Sequence, residues 1–114
     1  MSAYHDPARI AQLHAVIGAE ADAMVASMLA SLGRAIERLE VTVAAGELDP
    51  AIQAAHAARN DALMLGAGPL QSALTEFEAA ARTADEPAAR AALERVKAVW
   101  PPTRSELIAA APPQ

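Results

Sequence analysis

DPAIQAAHAARNDALMLGAGPL, residues 49 to 70, decides how the whole chain reads. Asp49 followed by Pro50 predicts a helix start: a side chain that caps free amides, then a ring whose fixed φ suits the first helical position. Gly66 and Gly68 predict the stop, and Pro69 the start of the next helix. At about 100° per residue, Ala51, Ala54, Ala55, Ala58, Ala62 and Leu65 share one broad arc. That arc is the expected core face, and its alanines let a neighbouring helix approach closely. His56 points away from it. Arg59 and Asn60 flank His56 one turn later, and Gln53 lies on the same side one turn earlier. Ile52 and Leu63 fall on nearly the same line, with Met64 to one side. An imidazole beside a cation and an amide, set among apolar residues, points to a docking surface. For Ile52 and Leu63 burial under the first helix is the alternative.

The chain has 114 residues, room for one core. It has no cysteine, so no disulfide, thiolate metal site or cysteine nucleophile. Cytoplasmic placement is expected, with no signal sequence and no run of about 18 apolar residues to enter a membrane. A formal charge of −5 and only three aromatic residues argue against a nucleic-acid partner. Alanine takes 32 positions, so fewer than thirty larger apolar side chains must supply the core energy. Alanine favours helix strongly but buries little surface.

Read in order, residues 1–5 are a frayed start. Asp6-Pro7 opens a first helix with Ile10, Leu13 and Ile17 on one stripe, and Gly18 ends or bends it. A long helix follows from about Ala19 to Ala44. Its stripe is Val25, Met28, Leu29, Leu32, Ile36, Leu39 and Val43, with Ser27, Ser31, Arg34 and Arg38 opposite. After the His56 helix comes one from Pro69 to about Arg82, with Leu70, Ala73, Leu74, Phe77 and Ala81 inward and Thr75, Glu78 and Arg82 toward water. The next runs to about Trp100, with Ala89, Leu93, Val96 and Trp100 inward. Pro101-Pro102 is expected to end it. Thr103 and Glu106 have capping-box spacing for a short last helix through Ile108, and residues 109–114 form a disordered tail. Short turns between long helices predict an all-α fold: an antiparallel up-down-up-down four-helix bundle with a short N-terminal helix packed at one end. The expected domain spans residues 1–102, and 103–114 hold the short helix and tail.

At His56 the chain resembles the histidine-containing phosphotransfer (HPt) domain of bacterial two-component phosphorelays. That family's signature reads His, any residue, Leu, Lys, Gly, Ser, then Leu/Ile-Gly-Ala, two more and Leu. His56 takes the histidine position and Arg59 the lysine position. Leu65, Gly66, Ala67 and Leu70 match the rest in register. The resemblance covers about residues 6 to 100. Ala58 replaces a leucine, Asn60 a glycine and Asp61 a serine. In the family the small residue at position 60 leaves room for the partner. Asn60 either crowds that approach or hydrogen-bonds the phosphoryl oxygens.

The resemblance implies that His56 accepts a phosphoryl group from an aspartate on a response-regulator receiver domain and passes it to another. A hybrid histidine kinase is a further implied partner. The chain itself needs no cofactor, because the receiver brings Mg²⁺ and carboxylates. Such transfer depends on position and charge. Arg59 is the nearby cation expected to pair with the phosphoryl group, and Ile52, Gln53, Leu63 and Met64 supply docking area. Gly66-Ala67-Gly68-Pro69 lacks the Lys and Ser/Thr of a phosphate loop, so ATP binding and autokinase activity are not expected. His5 and His14 lack the spacing of a helical metal pair, and no metal site is expected. The alternative function is a transfer-impaired adaptor or inhibitor that binds a receiver or kinase. A plain structural bundle is the third.

Overall fold

The computed structural model describes residues 3–110. Five helices account for nearly all of them: α1 Pro7–Ile17, α2 Glu20–Ala44, α3 Leu48–Met64, α4 Gly68–Arg82 and α5 Glu86–Ala110. No strand occurs among the described residues. Each long helix packs on the next along the chain, α2 also touches α5, and α1 leans on α2. The result is a helical, bundle-like body.

The expected stripes are the buried ones. Val25, Leu32, Ile36 and Leu39 enter the core from α2; Leu70, Leu74 and Phe77 enter from α4; Leu93 and Val96 enter from α5. Met28, Leu29, Val43 and Trp100 pack against that core and keep part of their surface. The indole of Trp100 covers Gly33, its Cζ2 lying 3.6 Å from where a Cβ would sit. From α3 only small side chains are buried, Ala51, Ala54, Ala55, Ala58 and Ala62, with Leu65 just past its end.

Three turns share one closure. At the end of α2 the Glu47 amide bonds Thr42 O, at the end of α3 Ala67 N bonds Ala62 O, and at the end of α4 Asp85 N bonds Ala80 O. This is the Schellman pattern, with the residue before the donor in the left-handed region. Gly46 and Gly66 fill that position in the first two turns, and Ala84 (φ 56°) fills the third. Gly66 has a further constraint. A Cβ there would meet Arg9 Cγ at 2.7 Å, and the Asp6 amide donates to its carbonyl at 2.8 Å. The start of α1 therefore sits directly on the α3–α4 turn.

Several expectations are corrected. Asp49 does not cap α3; the cap position is Glu47, without a side-chain bond, and Pro50 lies inside the first turn, where its missing donor is harmless. Gly68 is the first residue of α4 rather than part of a stop. Pro101-Pro102 does not end α5, which runs unbroken through both. A proline inside a helix costs about 3 kcal/mol, and tertiary packing offsets it. The carbonyls left without amide partners belong to Lys97 and Ala98, both exposed to water. Beyond the prolines, Thr103 and Leu107 are fully buried, and the Thr103 hydroxyl donates to Val99 O at 2.7 Å.

Thr103 and Glu106 form no capping box. Glu106 instead accepts from the Tyr4 and His5 amides, each at 3.2 Å, and lies 2.6 Å from His5 Nδ1. Residues 3–5 are thus not a loose end: His5 is buried, and the carboxylate latches the start of the chain to the end of α5. The boundary expected after residue 102 falls inside α5, and Ala109 and Ala110 are helical. The expectations for residues 1–2 and 111–114 lie outside the described residues.

Burial raises the Glu106 pKa, but hydrogen bonds from the His5 ring and the Tyr4 and His5 amides, with the His5 charge, outweigh it and leave the carboxyl below its ordinary value. A depressed folded pKa contributes stability above the ordinary carboxylate range, lost as pH falls through the folded value. NMR-detected exchange of the Tyr4 and His5 amides should therefore be protected at neutral pH and unprotected in acid, and in Glu106→Ala unprotected at both. Unfolding in denaturant should show the turns' demands. Ala84→Gly should stabilise by about 1 kcal/mol, the steric cost of a left-handed L-residue, and Gly66→Ala should destabilise by at least about that much, because the Arg9 clash adds to it.

Candidate functional site

Alanines on one side of α3 set the position of the site on the other. With Ala55, Ala58 and Ala62 fully buried, α4 comes close enough to cover its own flank. Glu78 lies on that flank, about 80° round from Leu70 at 100° per residue. It is only 5% exposed, so the expectation that it faces water is overturned. Thr75 and Arg82 are exposed as expected.

Above Glu78 stands His56, its side chain 51% exposed. His56 Nδ1 lies 3.3 Å from Glu78 Oε1 and 3.1 Å from an Arg59 terminal nitrogen. Arg59 is also 3.6 Å from Glu78 Oε2, and Arg82 is 3.9 Å from the same oxygen. One buried carboxylate therefore sits beneath a histidine and two arginines. The buried charge is tolerable because cations surround it.

The two neighbours of Nδ1 make opposite demands. A guanidinium only donates, so the Arg59 bond needs an unprotonated Nδ1 and, in a neutral ring, places the proton on Nε2. Glu78 only accepts when ionised, so bonding to it needs the proton on Nδ1. In the structure Arg59 makes the hydrogen bond, and Glu78 Oε1 is buried without one. The carboxylate oxygen waits beside a ring nitrogen that another group occupies.

Most of the expected site residues come together here. Ile52, Gln53 and His56 line a shallow hollow of about 510 Å³ with Asp49 and Arg82. Ile52 is half-buried against the core of the body, beside Asp49 and Arg82; the start of α1 lies instead on Gly66, at the other end of α3. Leu63 (43% exposed) and Met64 (52%) remain open to solvent on α3, and α1 does not bury Leu63. Asn60 is exposed, and no bond ties it to His56. Glu78 and Arg82 were missed as site residues. The usable signal was Glu78 four residues before Arg82 at the edge of the α4 stripe, facing a helix whose inner face is only alanine.

The other histidines take structural partners: His5 pairs with Glu106, and His14 Nε2 lies 3.0 Å from Asp22. Among the described residues no three His, Cys, Asp or Glu side chains cluster as a metal site, and no helix is long and apolar enough to cross a membrane.

Competition for Nδ1 has a direct readout. With Arg59→Ala, the Nδ1 proton should be free to bond Glu78, and the ring tautomer should move toward Nδ1–H. With Glu78→Ala the Nε2–H form should persist. Side-chain ¹⁵N shifts of His56 at a pH where the ring is neutral distinguish the two; identical spectra would mean that neither group controls the tautomer.

No family model, curated protein or solved structure matches this chain.

Proposed function

We propose that this chain is a histidine phosphotransfer protein, carrying a phosphoryl group on His56 between receiver-domain aspartates in the cytoplasm. The observation that carries the reading is His56 itself. It is a half-exposed imidazole in mid-helix, beside a shallow hollow, with a buried carboxylate and an arginine both at Nδ1. An ordinary surface histidine has no need of a buried counter-charge.

The proposed chemistry follows from those contacts. An aspartyl phosphate on the partner approaches the outer ring nitrogen, Nε2. Arg59 turns from Nδ1 to the phosphoryl oxygens, a charge-assisted contact. The Nε2 proton is given up to water, Nδ1 takes up a proton from water and hydrogen-bonds through it to Glu78 Oε1, and the Nε2 lone pair is left facing the phosphorus. The Nε2–P bond forms as the aspartate O–P bond breaks, and the partner's carboxylate leaves as an anion. The ring keeps its Nδ1 proton and gains positive charge, which the Glu78 carboxylate stabilises from below. The reverse step returns the group to a second receiver. The chain acts as a carrier without autokinase activity, and Mg²⁺ belongs to the partner's site.

We assign the arrangement of helices as an up-down-up-down bundle of α2 to α5 with α1 across one end. In that arrangement the start of α2, the α3–α4 turn and the end of α5 share an end. The bonds from α1 support it: Asp6 reaches Gly66, and the adjoining His5 reaches Glu106. His56 then stands on the side of the body, where a partner can lie along α3.

Asn60 supports a second reading. It is exposed one turn after His56, where bulk meets a partner first. If it obstructs approach, the chain binds a receiver or kinase as an adaptor or inhibitor and transfers slowly.

Transfer from receiver domains labelled with radioactive acetyl phosphate tests both. Wild type should acquire acid-labile phosphate and His56→Ala none. Glu78→Ala should slow transfer about ten- to a hundredfold, the value of a hydrogen bond to a charged group, without loss of helicity. Asn60→Gly should speed transfer if Asn60 obstructs and slow it if Asn60 contacts the phosphoryl group. Label on His56→Ala would overturn the assignment of the site.

A further inference from the structure

On the other side of α3, a second hollow of about 400 Å³ lies against α2. Its lining includes Arg34 and Arg38 from α2, with Ala35, Ala54 and Ala57 forming a smooth apolar floor. Gln53 lines this hollow and the one beside His56, so the two lie next to each other on either side of that residue. Both arginines are exposed, and among the described residues neither makes an ion pair or a side-chain hydrogen bond. The chain has 14 acidic and only 9 basic residues. Two neighbouring arginines without carboxylate partners are unexpected in so acidic a protein. Arg59 and Arg82, the partners of Glu78, lie on the His56 side of α3, and Arg34 and Arg38 line the hollow on its α2 side.

We infer that Arg34 and Arg38 form a second contact point for the phosphoryl-exchanging partner, one that grips acidic side chains on the partner's surface while His56 meets its phosphoryl group. The inference rests on the carrier reading for the identity of the partner. Charge complementarity selects the occupant. The chain as a whole repels an acidic protein, so such a partner can approach only where the local field is reversed. Long-range attraction of this kind acts mainly on the encounter rate and weakens with salt. The alanine floor lets acidic side chains lie flat between α2 and α3, with two guanidinium groups one turn apart to receive them. Two contact points on either side of Gln53 would also fix the rotation of the partner about His56, which a single exposed imidazole cannot do.

The test compares wild type, Arg34→Glu/Arg38→Glu and, as a remote charge control, Arg90→Glu on α5. Each is titrated with purified receiver domains carrying radioactive phosphate from acetyl phosphate, at low and at moderate salt. Binding of the same receivers without phosphate is followed separately by fluorescence anisotropy. The double variant should need about tenfold more receiver for half-maximal labelling, in line with the effect of steering charges on encounter, and reach the same maximal rate. Its salt dependence should be flatter than that of wild type, and Arg90→Glu should match wild type. Equal concentration and salt dependence in all three proteins would overturn the inference and leave the carrier reading intact. If no receiver labels wild type, the carrier reading falls; receiver binding that the double variant weakens would still support the second contact point, and unaltered or absent binding would overturn it. Salt-sensitive self-association of the protein alone, lost in the double variant, would reassign the face to a second copy of the chain.

Discussion

The close approach of α4 to α3 is the constraint on which the rest depends. Helix α3 contributes almost no bulk to the core; its buried face is alanine from Ala51 to Ala62. A leucine at any of these positions would hold the neighbouring helices apart. With alanine there, the larger side chains of α2 and α4 reach across, and the flank of α4 is buried as well as its centre. That is how a carboxylate at the edge of the stripe ends up beneath the surface. The alanine content that would make a core weak is here what sets the spacing of the charged groups.

The second organising contact is the bonding of residues 4–6 to the last turns of α5 and to the α3–α4 turn. Glu106 holds Tyr4 and His5, and Asp6 bonds the α3–α4 turn through Gly66. The side chain of Asp6 also caps α1 by accepting from Ala8. Helix α1 is therefore fixed at its start by polar contacts rather than by a broad apolar face, of which Ile10 is the one buried residue. The continuation of α5 past Pro101-Pro102 belongs to the same arrangement. Stopping there would give up the burial of Thr103 and Leu107 and remove the carboxylate that secures the start of the chain.

Local signals in the sequence read correctly where local physics decides. The apolar stripes of α2 and α4, the glycine closure at Gly66 and the outward direction of His56 follow from periodicity and backbone sterics alone. Misreadings arose where distant residues decide. The two prolines forbid a helix by every local rule, but Leu107 and Glu106 find partners far away in sequence that outweigh the rule. Thr103 and Glu106 have the spacing of a cap and serve as a core residue and a latch. Glu78 is the instructive case. Its position on a helical wheel is intermediate, and its burial depends on how near α3 lies, which is a property of the residues on α3. The motif around His56 was legible as a pattern, but the carboxylate below it was not, because no linear signature joins residue 56 to residue 78.

That carboxylate changes what the histidine can do. An isolated surface imidazole exchanges freely between tautomers, and either nitrogen can face an incoming electrophile. At His56 the two forms are distinguished by their partners: Arg59 favours one and Glu78 the other. Both partners are charged and each has another role in reach, Arg59 toward solvent where a phosphoryl group would arrive, and Glu78 toward Arg82. Moving Arg59 outward therefore removes the donor at Nδ1 and leaves Glu78 as its only close partner. Under the proposed function, the arrival of negative charge at the outer face would itself draw Arg59 away and favour the nucleophilic form of the ring. The resting contact between Arg59 and Nδ1 would then act as a guard, keeping the histidine unreactive until an anion displaces it.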